Sequence, residues 1–281
     1  MDDTKSLLWL LPPGPGESRV VAKRPGGVGG VVVARDSGTV LVASDTFPSS
    51  ADPQADEEKR KERTDRKVSA ILHERYPVRY WDHDLGSDAP RLLIGEVTAD
   101  EGDVELRDLT PDAGRALDNA SYDISGNRTT VVTTWNTLHR GGNRPGLAVI
   151  DVATGERRMP VDDDGAEYSA PRISPDGSRV VALRERLSTP TEPIDVGLVV
   201  LTIADGSVQE VAPGWDRWPG EPRWLPDGST LIAVADEPRP GAGVPRRRRQ
   251  RECRQAFRRR RRLHQPGRVV RRSPRVRAAH V

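Results

Sequence analysis

The sequence predicts an all-β chain: a partial β-propeller of four-stranded antiparallel blades with one short helical insertion. Three observations carry this reading. A strand, a tight turn and a second strand recur in VVVARDSGTVLVAS, YDISGNRTTVVTTW, RISPDGSRVVALRE and RWLPDGSTLIAVAD, with turn glycines at Gly38, Gly126, Gly177 and Gly228, the last three 51 apart. A second hairpin, LAVIDVATGERRMPV and LVVLTIADGSVQEVA, carries Gly155 and Gly206, again 51 apart. Two hairpins per repeat make four antiparallel strands, and the period lies near the ~50 residues of long propeller blades. An ordinary β-sandwich has no reason to hold two independent markers at one spacing. Composition agrees: only 4% of residues are aromatic, and 24 prolines and 26 glycines leave little room for long helices.

Taken in order, the opening LLWLLPPGPGESRVVA is expected to form the outer hairpin of a blade whose first half lies upstream. Its apolar run, Leu7 to Leu11, is short and follows two acids, which does not fit a signal peptide or membrane span. After the Gly38 hairpin comes a helical insertion, placed at about residues 55–72. Glu57 with Lys61 and Glu62 with Arg66 stand at i,i+4, and Val68, Ile71 and Leu72 offer a short apolar patch. Its charges read as a solvated face.

The next stretch, HERYPVRYWDHDLG, contains His73, His83, Asp82 and Asp84, but no pair has the i,i+4 spacing of ligands on a helix, and Val78 to Trp81 alternates as a strand. No metal or other cofactor is expected there. Tyr76, Tyr80 and Trp81 are expected to anchor the insertion on the propeller, and Trp215, Trp218 and Trp224 to sit between blades. The body ends in RWLPDGSTLIAVADE, the inner hairpin of a further blade.

Net charge hides two unlike pieces. The chain has 44 Lys+Arg against 42 Asp+Glu, but from Pro238 onward there are 17 Arg, no Lys and one acid, Glu252. Residues 1–237 therefore hold 27 basic against 41 acidic residues. The single cysteine, Cys253, allows no internal disulfide, and a cytoplasmic setting is expected.

With the elements placed, the residues resemble a family. VSAILHERYPVRYWDHDLG after a charged helix, followed by blades with ISPDGSRVVAL and WLPDGSTLIAV, is similar to the N-terminal propeller of serine peptidases of the prolyl oligopeptidase and acylaminoacyl-peptidase class. The PDG turns alone are shared with TolB-like propellers. The resemblance implies a propeller that screens access to an α/β-hydrolase domain cleaving short peptides. No G-x-S-x-G nucleophile elbow occurs in the 281 residues, so no catalytic residue is assigned and this chain alone is expected to be inactive. The partners implied are short peptides and the missing hydrolase domain, with no membrane. One alternative is a non-catalytic TolB-like propeller that binds protein or peptide.

The Arg-rich tail, residues 238–281, supports another alternative, non-specific nucleic-acid binding through released counterions. Arginine without lysine instead fits CG-rich DNA read out of frame. A permitted back-translation from Gly243, shifted by one base, gives VFRVDVGNGSVDRL and then a further SSDG hairpin. The expectation is therefore a partial propeller over residues 1–237 and a disordered, out-of-frame tail.

Overall fold

The computed structural model describes residues 5–11, 17–71, 73, 77–97, 103–139, 142–161, 163–235 and 249–251. They form a mostly β chain with a single helix, built of antiparallel meanders in which every strand pairs with its neighbour in sequence. Three sheets have four strands each, the architecture of propeller blades. The chain divides into two compact units, Met1–Ala120 with Val152–Gly155, and Ser121–Asp151 with Glu156–Val281.

The first unit opens with a two-stranded pair, β1 (Leu8–Leu10) and β2 (Arg19–Ala22). A four-stranded sheet follows: β3 (Val31–Val33), β4 (Thr39–Thr46), β5 (Ala89–Glu96) and β6 (Arg107–Asp108). Strands β4 and β5 pair over eight residues and bury Val42 and Leu93 against Val28, with Leu8 and Leu106 beside them. Gly38 is needed in the β3–β4 turn for close approach, since a Cβ there would lie 2.7 Å from the Val97 carbonyl oxygen.

Between β4 and β5 runs α1 (Pro53–Asp65). Its start follows the usual chemistry: the Asp52 carboxylate accepts a hydrogen bond from the Ala55 N–H, and Pro53 supplies a preset φ where no donor is missed. The helix stops earlier than residue 72 because Lys67 turns left-handed, φ 53°, while the Val68 N–H bonds the Arg63 carbonyl and the Lys67 N–H bonds that of Thr64. Val68 and Ile71 consequently lie beyond the helix and are exposed; Leu72 lies outside the described residues.

The helix docks through charge. Asp56, 1% exposed, accepts from the Phe47 N–H at 2.8 Å and from Arg60 Nε at 2.9 Å. Arg60 also reaches Asp88 at 2.9 Å and the Asp45 carbonyl at 3.0 Å, and lies 4.7 Å over the Phe47 ring. Burial opposes the Arg60 charge, yet its bonds to Asp56 and Asp88 raise its pKa overall. Of the expected i,i+4 contacts, Glu62 with Arg66 forms at 2.9 Å, on the exposed side.

The second unit stacks three sheets: β7 (Tyr122–Ile124), β8 (Thr130–His139), β9 (Gly142–Asp151) and β10 (Arg157–Arg158); β11 (Ala166–Ile173), β12 (Arg179–Arg186), β13 (Asp195–Thr202) and β14 (Val208–Val211); β15 (Pro219–Trp224), β16 (Leu231–Ala235) and β17 (Arg249–Arg251). The middle sheet is buried on both faces. Val180, Ala182, Val199 and Leu201 meet Val132, Leu147 and Val149 of the sheet before, whereas Val181, Leu198 and Val200 meet Trp224, Leu231 and Ala233 of the sheet after. Period-two alternation with both faces covered explains why VVAL and LVVL read as unbroken apolar runs.

The repeat is real, but its glycines are not all equivalent. In each inner hairpin a residue before the turn bonds one five positions later: Ser125 to Thr130, Ser174 to Arg179, Leu225 to Thr230. The left-handed fourth position of the turn is then Arg128 (φ 58°), Gly177 (φ 71°) and Gly228 (φ 61°). Gly126 stands two residues earlier, where the other turns have Pro175 and Pro226. The outer-hairpin glycines Gly155 and Gly206 are equivalent as expected, at φ 74° and 71°.

Of the tail, Arg249–Arg251 form β17, paired with Ala233–Ala235. The rest of residues 238–281 lie outside the described residues, and with them Cys253 and the expectation of disorder.

Candidate functional site

The HERYPVRYWDHDLG block closes a small hairpin: the Tyr80 N–H bonds the His83 carbonyl, the Leu85 N–H bonds that of Val78, and Arg79 bridges Asp84. His83 Nδ1 lies 2.7 Å from Asp82 Oδ1, and no group of three or more ligating side chains occurs among the described residues. Tyr80 anchors the hairpin as expected, its hydroxyl 3.3 Å from Asp118. Trp81 does not, being 93% exposed; it lies in the bend at the tip of the hairpin and not in the strand that Val78 to Trp81 led one to expect. Tyr76 lies outside the described residues.

Two clefts flank α1 in the first unit. One, of about 1000 Å³, lies between Lys5–Ser6, Gly26–Gly29 and the helix. The other, of about 620 Å³, is lined by Lys59, Arg63, His73, Arg91 and Arg115 beside Glu62 and Asp112. Its cations are already engaged: Lys59 by Ser49, Arg63 by the Ala70 carbonyl, Arg91 by the Thr110 carbonyl, and Arg115 by Asp118 and the carbonyls of Gly86 and Asp88.

The most organised polar site is in the second unit, where β7, β11 and β15 adjoin. Strands β11 and β15 each break register just before a Pro-Arg pair, in SAPRI and GEPRW. At each break a non-glycine residue is left-handed, Ala170 and Glu221, both at φ 49° and both directly before proline. Such a conformation is strained by about 1–3 kcal/mol. The bulge resets the strand so that Arg172 stands opposite Val181 and Arg223 opposite Ile232, equivalent positions of two repeats. The same position on β7 is Asp123, opposite Val132.

These strands are stitched together at this level. Asp123 Oδ2 accepts the Ile173 N–H at 2.8 Å, the Ala170 N–H bonds Ser121 Oγ at 3.0 Å, and Trp224 Nε1 donates to the Arg172 carbonyl at 3.0 Å. Trp224 thus stands between blades as expected and Trp215 packs beside it, but Trp218 is 60% exposed. The arginines are tethered by one nitrogen each: Arg172 NH1 to the carbonyls of Pro171 at 2.8 Å and Tyr122 at 3.4 Å, Arg223 NH1 to that of Pro222 at 3.1 Å. Burial, and then the neighbouring Arg223 charge, push the Arg172 guanidinium below its usual pKa. Burial raises the Asp123 carboxyl although both arginines oppose this. The sequence signal for the site is the X-Pro-Arg step, Ala170-Pro171-Arg172 and Glu221-Pro222-Arg223, repeated at 51 residues ahead of the Asp-Gly turns.

No protein family's sequence model matches the chain, nor does any curated protein. Solved structures similar to it include β-propeller proteins. TolB from Acinetobacter baumannii is 14% identical, over 79% of this chain and 41% of that one, with a TM-score of 0.46. An acylaminoacyl peptidase from Pyrococcus horikoshii is 11% identical, over 79% and 32%, TM-score 0.48. The β-propeller domain of the trilobed protease from Pyrococcus furiosus is 12% identical, over 79% and 53%, TM-score 0.44. The chain thus spans a third to a half of each.

Proposed function

We propose that this chain is the propeller portion of a serine peptidase of the prolyl oligopeptidase and acylaminoacyl-peptidase class. The single observation that supports it is the HERYPVRYWDHDLG block after a charged helix, set between the second and third strands of a four-stranded blade. In this reading the propeller works with an α/β-hydrolase domain that supplies the nucleophile and oxyanion hole, and the substrates are short peptides. Among the described residues no helix is long and apolar enough to cross a membrane.

The gene tests this directly. Reading the DNA past the codon for Glu237 in all frames should give a further hairpin repeat and then a G-x-S-x-G; early stops in the shifted frame would defeat the proposal. A TolB-like propeller that binds peptide without cleaving it is the second reading. It is favoured by the strained, arginine-bearing bulges, a binding geometry that needs no nucleophile.

A further inference from the structure

We infer that Arg172 and Arg223, presented by matched bulges on adjoining strands, form a binding site for a single carboxylate group of a peptide. The inference goes beyond the peptidase reading, since a propeller that only binds would use the pair in the same way.

Three observations carry it. First, the two guanidinium groups occupy equivalent positions of neighbouring strands and, among the described residues, neither forms an ion pair and each spends only NH1, on main-chain carbonyls. That leaves the Nε and NH2 edge of each fork, the edge that grips a carboxylate with two parallel hydrogen bonds. Second, two arginines share this place with the single carboxylate of Asp123, which leaves one positive charge unbalanced, and both strands adopt the same left-handed, pre-proline bulge there. Third, the charge count selects the ligand. Asp123 belongs to the cluster but its Oδ2 holds the Ile173 N–H, so the three side chains sum to one positive charge, which matches a monoanionic carboxylate better than a phosphate dianion.

Binding by the full chain tests the inference, because the Arg-rich tail is then a background common to every variant. At about 0.15 M salt, where loose tail binding is screened, calorimetry should compare a short neutral peptide bearing a free C-terminal carboxylate with its C-terminally amidated form. The free acid is expected to bind about tenfold tighter or more. Arg223→Gln, a change at an exposed side chain, and Arg172→Gln should each abolish the difference, while Arg186→Gln, at the far end of β12 and paired with Asp195, should keep it. Asp123→Asn should increase it. An amidated peptide with an internal Asp shows whether a side-chain carboxylate serves equally. Equal binding of acid and amide by the unaltered chain overturns the inference, as does a difference that survives Arg223→Gln with an unchanged melting temperature.

Discussion

Between the sheets of the second unit, single side chains add hydrogen bonds to the apolar packing. Asp123 caps the Ile173 N–H across from one strand to the next, so Asp123→Ala leaves that donor unsatisfied and should destabilise the protein by about 1–3 kcal/mol in urea unfolding. The titration of other carboxylates separates two roles. The Asp176 carboxyl is raised by burial, but hydrogen bonds from the Ser174 and Ser178 hydroxyls and the Ser178 N–H outweigh this and hold it below its usual value. A depressed folded value gives stability that is present above the unfolded pKa and lost as pH falls through the folded one. Asp108 is the reverse: burial raises it despite the Thr110 N–H and two arginines, so its charge weakens the fold at neutral pH and that penalty disappears in acid. At pH 7 Asp176→Asn should therefore lower the melting temperature and Asp108→Asn should not; the Asp108 difference shrinks as pH falls toward about 4, whereas the Asp176 difference persists there and is lost only in stronger acid. Such residues were hard to read in advance. The Asp-Gly turns showed Asp176 plainly, whereas nothing local marked Trp224 as anchored and Trp218 as exposed.

Among the elements, α1 departs furthest from expectation. The i,i+4 charges of KRKERTDRK suggested a solvated face, yet Asp56 and Arg60 form the internal attachment to the sheet. Spacing cannot distinguish a charge pair facing water from one facing a strand end; only the positions of Phe47 and Asp88 decide, and those come from elsewhere in the chain. Arg60→Met should cost about 3–5 kcal/mol, since it strands a buried carboxylate. Lys67→Gly should instead stabilise by about 0.5–1 kcal/mol, because glycine accepts the left-handed cap that lysine adopts under strain. Both are measurable by thermal unfolding followed through far-UV circular dichroism. Hairpins were legible because apolar alternation and turn residues are local. Their register was less so, since the left-handed position can be filled by Arg128 while a glycine two residues away draws the eye.

At the level of the whole molecule, propeller blades follow from two spacings, while the site at Arg172 and Arg223 needed three-dimensional proximity to be seen. With no nucleophile elbow in its sequence, the purified chain should hydrolyse aminoacyl and acylaminoacyl esters and amides no faster than the buffer control. Turnover removed by a serine-directed phosphonate would overturn that. Nearest-neighbour strand order has a consequence of another kind. Each sheet of the second unit takes its strands from consecutive sequence; Ser121 and Asp123 bond the second of these sheets to the first, and Trp224 bonds the third to the second. A nascent chain can thus complete one sheet while the next is still inside the ribosome, every finished sheet serving as the template for its successor. A translational error late in the message would spare the blades already laid down, so damage to the message passes toward the C-terminus and does not travel back.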